Sequence, residues 1–496
     1  LLTHLTYLEK IIQAKEELLS KAKTEEEKEF AKAVITYMAI LFDSCVSYNC
    51  VLSRWDVTRK KITNIMELQG FPFKSSYGEW DHSRMLWKWA LEKVLDALKE
   101  IIRLLPSVSP DVKVYLGDAA NIPLPDKSVD IIVVDPPYHE NVMYGEVSDF
   151  FYVWLKRILG DIFPEAFKTE LTDKTEEAVA NPARFKGAGK GMAKKLATQH
   201  YESKIEACFR DMHRVLRDDG VMIVMFTHRK FEAWASLAKA LINAGFTFTS
   251  SWPIATEPGE KFGKKGKGVL KYTVLLTCRK RLAEKRGLWE EIRNELMELA
   301  EKKVREHAEK GITGPDLLVS VYGPILGRMA EYSVIKDARG HLKTPEDALE
   351  LAAEVVNKFL AADIKGVDLE TRAYINLLRN FPQLEVEYDL ARLTTVFGGN
   401  ISLDDLDVRG GKGLVVKQKG KVRILLSKDR IKEGKLNPNK PETLKSMIDI
   451  VHAALIRYEN IGIESVKSLL EETGRDYKDS GFISVLRAIA QLAYNG

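Results

Sequence analysis

The 496-residue chain lacks the marks of several large protein classes. It has four cysteines, Cys45, Cys50, Cys208 and Cys278, and no C-x-x-C pair. Such scatter excludes a disulfide framework and offers no zinc-ligand spacing, so buried free thiols and no metal are expected. No run of 18 or more apolar residues occurs, so no membrane span is expected. The opening LLTHLTYLEKIIQAKEELL is amphipathic and acid-containing, without a basic segment leading to a cleavage site. It is not read as a signal peptide, and the expected compartment is the cytoplasm. Neither charge sign is in excess: 75 Lys and Arg against 71 Asp and Glu leave a formal net charge of +4, which alone names no polyanionic partner. Internal repeats and low-complexity tracts are missing as well.

What is present is the composition of an ordinary globular protein, 45% apolar and 29% charged. The length fits about two to four domains. Residues 1–110 carry apolar positions at 3.6-type spacing in LLTHLTYLEKIIQ, FAKAVITYMAILFDSCV and RMLWKWALEKVLDALKEIIRLL, which predicts a helical N-terminal region. The chain starts at Leu1 inside such a pattern without an initiator methionine, so processing or a missing upstream segment is expected.

Over residues 111–281 the pattern turns to short aliphatic strands alternating with helices, an α/β domain with a parallel, doubly wound sheet. Strands are expected at 112–116, 129–134, 221–226, 246–252 and 272–278, with helices at 203–217 and 231–245. Residues 282–496 read as mainly helical, with a hairpin near 414–427 turning at Lys419-Gly420. Basic clusters lie at Arg59-Lys60-Lys61, at Lys186–Lys195 and at Lys261–Lys271. Each is either a solvated face or a phosphate-holding surface.

The chemistry concentrates in VDIIVVDPPYHENVMYGEVSDFFYVWLKR, residues 129–157. An exocyclic base amine is a poor nucleophile because its lone pair is delocalised into the ring. A carboxylate and a rigid carbonyl that accept its N–H groups help to aim the nitrogen. Asp135 supplies the first and the Pro136 carbonyl the second, since consecutive prolines fix φ and remove backbone donors. Pro137 completes the rigid turn and Tyr138 offers a ring to stack on the base. The competing reading is a plain strand exit.

His139, Asn141 and Tyr144 are candidates to line the base pocket, against a capping role for Asn141 and packing for Tyr144. Phe150, Phe151, Tyr152 and Trp154 recur at helical spacing and are expected in the core. His213 is expected to be structural, and His228 stands near the presumed site.

With GDAANIPLPDKSVDIIVVDPPY (117–138), the sequence resembles the class I S-adenosylmethionine-dependent methyltransferases that modify amino groups. The likeness implies a Rossmann-like sheet and S-adenosyl-L-methionine as cofactor. It also implies cofactor contacts from Gly117, Asp118 and Ala119, with Asp118 on the adenine; a turn-forming aspartate is the alternative.

A closer resemblance is to a prokaryotic adenine-specific DNA methylase family, some members of which contain a zinc ribbon. It rests on SVDIIVVDPPYHENVMYGEVSDFFYVWLKR, ANPARFKG, MHRVLRDDGVMIVMFTHRKFEAWASLAKALINAGF, SWPIATE and LLTCRKR, and on RWDVTRKK and ITGPDLLVSVYGPILGRMAEYSVI outside the sheet. It implies an enzyme that methylates N6 of adenine in DNA. RNA, including guanine N2 in tRNA, and cytosine N4 are the alternatives, as is a non-catalytic nucleic-acid-binding subunit. Phosphate contacts are expected from Lys186, Lys190, Lys264 and Lys265.

One family feature is missing. The glycine-rich D-P-F-x-G-x-G type loop after the first strand does not occur, and the cluster Lys186-Gly187-Ala188-Gly189-Lys190-Gly191 follows no expected strand. That cluster is expected to be a flexible segment facing substrate. The expected strands match only the third to seventh of a seven-stranded sheet whose first two lie in its middle. The sheet is therefore expected to be incomplete, with the cofactor loop on a missing N-terminal segment or a partner polypeptide.

Overall fold

A computed structural model describes residues 1–57, 60–65, 78–105, 112–228, 231–255, 272–310, 312, 314–361, 366–381, 384–399, 401–409, 411–418 and 420–494. The chain folds as mixed α/β in two compact units: Leu1–Pro123 with Pro137–Lys204, and Leu124–Pro136 with Ile205–Gly496.

In the first unit, α1 (Leu2–Lys21) and α2 (Glu25–Tyr48) are joined by a capping box. Thr24 Oγ1 accepts from Glu27 N, and the Glu27 carboxylate accepts from Thr24 N, both at 3.1 Å. Their apolar stripes meet: Leu8 and Ile11 pack with Ile35, Ala39, Phe42 and Val46, and with Ile158 and Leu159. The last two end α4 (Tyr144–Leu159), whose Phe150 and Trp154 pack against the same cluster. Among the described residues only α2 is long and apolar enough to cross a membrane, by length and composition alone. It opens on Glu25-Glu26-Glu27 and turns one face into this core.

β1 (Arg54–Asp56) and β2 (Lys61–Thr63) make a small antiparallel hairpin. A π turn at His82–Leu86, capped by the Asp81 carboxylate, leads into α3 (Trp87–Leu104). Leu91, Leu95, Ile101 and Ile102 of α3 are exposed along one apolar stripe.

The second unit is built on β3 (Val129–Val134). From α5 (Lys190–Val215) the chain continues into β4 (Leu216–Phe226), α6 (Phe231–Asn243), β5 (Phe246–Ala255) and β6 (Tyr272–Lys280). The four strands form one sheet in the order β3-β4-β6-β5. The expected parallel sheet is corrected to a mixed one: β3 and β4 are parallel, whereas β6 runs antiparallel to both β4 and β5.

The expected strand at 112–116 does not form. Val112, Val114 and Leu116 are exposed, Val114 at 91%, and nothing pairs with them among the described residues. β-forming side chains do not make a strand without a neighbouring edge. The expected helix 203–217 is also longer and starts earlier. It begins at Lys190 and stops at Val215, where Leu216 takes a ladder position opposite Val129.

Beyond the sheet, α7 (Trp289–Glu309) and α8 (Gly314–Ala330) follow a short strand β7 (Arg286–Leu288), which pairs parallel with β8 (Val334–Lys336). α8 lies close against β5: a Cβ at Gly323 would fall 2.0 Å from Ser251 Oγ, and one at Gly327 2.8 Å from the Phe248 carbonyl. Only glycine permits that approach. α9 (Pro345–Ala361) starts at Thr344, whose N–H and hydroxyl both donate to the Asp347 carboxylate.

A second core follows, with β9 (Glu385–Glu387), β10 (Val415–Gln418) and β11 (Lys421–Ile424) in the order β10-β11-β9. Gly420 turns the β10-β11 hairpin at φ 73°, while Lys419 lies outside the described residues. At its centre Arg430, 1% exposed, donates to Asp449 at 2.6 Å and to the Gly413 carbonyl at 3.0 Å.

Candidate active site

β3 and β4 run side by side to Val134 and Val224, and Asp135 follows at the carboxyl end of the strand, exposed. That end of a parallel pair is where open α/β sheets place their ligands. Pro136 is buried, and between Pro136 and Pro137 the chain leaves the second unit for the first.

The turn that follows is tightly held. The Pro137 carbonyl accepts from the Tyr201 hydroxyl at 2.9 Å and from His139 N at 3.1 Å. The Tyr138 carbonyl accepts from Asn141 N at 3.0 Å, and the His139 carbonyl from Ala180 N at 3.0 Å. His139 itself is 2% exposed and sits at φ 51°, a left-handed conformation that a non-glycine residue adopts only under constraint. Its ring meets the Tyr201 ring edge-on, 5.0 Å between centroids. Burial pushes the Tyr201 hydroxyl well above the ordinary phenol range, so it stays a protonated donor. The carbonyl gripped from outside the turn is thus that of Pro137, not that of Pro136, to which the second acceptor role was assigned.

A second set of contacts fastens residues 172–184 onto the start of α4. Asn181 Nδ2 donates to Glu146 Oε1 at 2.8 Å, and Asn181 Oδ1 caps the following turn by accepting from Ala183 N. Gly145 N donates to Glu177 Oε1 at 2.9 Å. The Arg184 guanidinium pairs with the same Glu177 carboxylate, and His200 Nε2 lies 3.1 Å from the Glu177 carbonyl. Thr172 and Lys174 both bind Asp149 of α4, at 2.6 and 2.7 Å. The other Glu146 oxygen, Oε2, is buried with no hydrogen-bond partner among the described residues. Sequence reasoning missed Glu146, Glu177, Arg184 and Tyr201. For Tyr201 a signal existed, because Tyr201, Ile205, Phe209 and Met212 repeat along the inward face of α5 and only the tyrosine bears a polar tip.

The remaining expected residues are more dispersed. Asn141 and Tyr144 are exposed, next to the turn. The N-cap of α4 is Met143, so Asn141 does not cap it. Gly117, Asp118 and Ala119 form an exposed loop in the first unit. There Asp118 Oδ1 accepts from Ala120 N at 2.9 Å, the turn-forming role. Of the segment Lys186–Gly191, the first part closes a short helical turn and the last opens α5, with Gly189 at φ 80° between them. Lys186 sits exposed on a 3₁₀ turn, Pro182–Ala188, and Lys190 opens α5. Asn181 and Pro182 make this start, the one capping and the other presetting φ.

Lys264 and Lys265 lie outside the described residues. His228 is buried at the end of β4, its carbonyl accepting from Trp234 Nε1. His213 lies edge-on to Phe246. Cys45 and Cys278 are buried, whereas Cys50 and Cys208 are only half-buried, a correction to the uniform burial expected. No group of three or more metal-ligating side chains occurs among the described residues.

No family model, curated protein or solved structure matches the chain.

Proposed function

We propose that the chain carries the base-side part of an S-adenosylmethionine-dependent nucleic-acid amino-methyltransferase of the adenine-specific DNA methylase type. N6 of adenine in DNA is the favoured target. One observation carries the reading: an Asp-Pro-Pro-Tyr segment leaves the carboxyl end of a parallel strand with its acid exposed and its following turn locked. The expected fourth to seventh strands correspond to β3, β4, β5 and β6, and these four are contiguous in one sheet.

The residues of this chain act on the amine. Asp135 accepts one N–H of the base amine and the Pro136 carbonyl accepts the other, which turns the nitrogen lone pair toward the methyl donor. Tyr138 stacks on the base and offsets part of the few kcal/mol spent in flipping it from a duplex. Exposed Lys186 holds phosphate without reading sequence.

The cofactor fits this chain less well. Asp118 spends one carboxylate oxygen on its own turn, and the glycine cluster at 187–191 begins a helix instead of following a strand. S-adenosylmethionine would supply the methyl group, with a glycine-rich loop provided by an upstream segment or a partner polypeptide. The free edge of β3 supports that division: among the described residues it pairs only with β4, and Ile131 and Val133 stand 63% and 73% exposed. Parallel strands are ordinarily covered on both faces.

Methylation of defined DNA and tRNA with labelled cofactor, followed by identification of the modified nucleoside, tests the target. Asp135→Ala is expected to abolish transfer while nucleic-acid binding survives, and an active variant refutes the assignment. Calorimetry with S-adenosylmethionine, on the chain alone and then with the complementing polypeptide, separates a catalytic assembly from a non-catalytic binding subunit.

A further inference from the structure

Resting on the methyltransferase reading above, we infer that Tyr201 is a positioning residue for base recognition. Its hydroxyl fixes the Pro137 carbonyl, and so sets the turn that aims the Tyr138 ring. The bond is 2.9 Å long and Tyr201 is 0% exposed. The turn needs such a grip. His139 is held at φ 51°, two residues beyond the accepting carbonyl, and would relax toward ordinary dihedrals without it.

Three fasteners act on the two residues that flank Tyr138. Tyr201 holds Pro137 by the hydrogen bond and packs its ring edge on His139, while Ala180 N holds the His139 carbonyl. Tyr138 lies between the two gripped residues and is itself half-buried, so its backbone is carried on a rigid frame. Tyr201 touches neither base nor reacting atoms; it acts through the turn. A helix is a suitable support, because α5 runs 26 residues and its inward face is packed by Ile205 and Phe209.

Tyr201→Phe removes the hydroxyl and keeps the ring, so the core packing persists. The test uses a DNA duplex with 5-iodouracil at the target position, whose photo-crosslink forms with an aromatic ring stacked on it. Yield is read at matched DNA occupancy, and the crosslinked residue is mapped by mass spectrometry. The wild-type chain is expected to crosslink at Tyr138. Tyr201→Phe is expected to lower that yield about fivefold, the population ratio of one buried hydrogen bond, with DNA affinity unchanged.

A variant yield equal to wild type at unchanged affinity overturns the positioning role while leaving the functional reading intact. A wild-type chain that binds DNA but gives no crosslink at Tyr138 overturns the functional reading and the inference with it. A parallel fall in affinity and yield assigns Tyr201 to folding alone and also overturns the inference. Ile205→Val, on the same buried face of α5 without touching the turn, is expected to leave the yield at the wild-type level.

Discussion

Replacing Ile131 and Val133 by lysine tests whether the apolar face of β3 is truly uncovered. Burying such a side chain fully stabilises by about 1.5–3 kcal/mol. Ile131 is 63% and Val133 73% exposed, so only about a third of that is gained within the chain. The double variant is therefore expected to lose about 1–2 kcal/mol, the lysine ammonium groups remaining in water. Urea unfolding measures it as a fall in midpoint at constant slope.

If a complementing polypeptide covers the strand, the other two thirds become buried in the assembly. The same lysines then cost about 2–4 kcal/mol of association, roughly 30- to 1,000-fold in affinity. A loss above about 4 kcal/mol in the isolated chain would mean that β3 is covered from within, and the shared-sheet reasoning would fail. An edge of alternating apolar residues without proline or lysine is otherwise what natural sheets avoid.

Two further stability outcomes follow from buried charges. Asp43 in α2 has a buried Oδ1 without a hydrogen-bond partner among the described residues, and burial raises its carboxyl to about 7. Its folded-state value lies above the unfolded one, so its contribution is full below about pH 4 and is lost as pH rises through about 7. Asp43→Asn should raise the melting temperature at pH 8, by about 2–4 kcal/mol of stability, and change little at pH 4; equal shifts at both would refute the titration. Arg430→Ala should cost about 3–5 kcal/mol in urea unfolding, because it strands the Asp449 carboxylate in the core, and a loss below about 1 kcal/mol would show that the Ser446 and Lys445 amides suffice for it.

Part of this protein was legible without coordinates. Helical periodicity located α1, α2, α7 and α9, because an apolar stripe at 3.6 spacing has one way to be buried. The aliphatic run at 129–134 was read to its ends, since Ser128 and Asp135-Pro136 bound it on either side. The Asp135-Pro136-Pro137-Tyr138 segment at the strand's end could be singled out too, since a motif of adjacent positions needs no distant partner to be seen. Strand direction was not, because β6 reverses against β4 through pairing that no local pattern encodes. Nor was the fate of 112–116, whose residues favour a strand but stay exposed and outside every sheet among the described residues.

The sequence alone therefore determined which side chains stand at the end of β3. Tertiary structure decided how they are held: Tyr201, 63 residues beyond Tyr138, grips the Pro137 carbonyl, and Glu146, Glu177 and Arg184 lock the neighbouring loop. Such contacts join positions far apart in the chain, and a hydrogen bond between them leaves no period or motif to read.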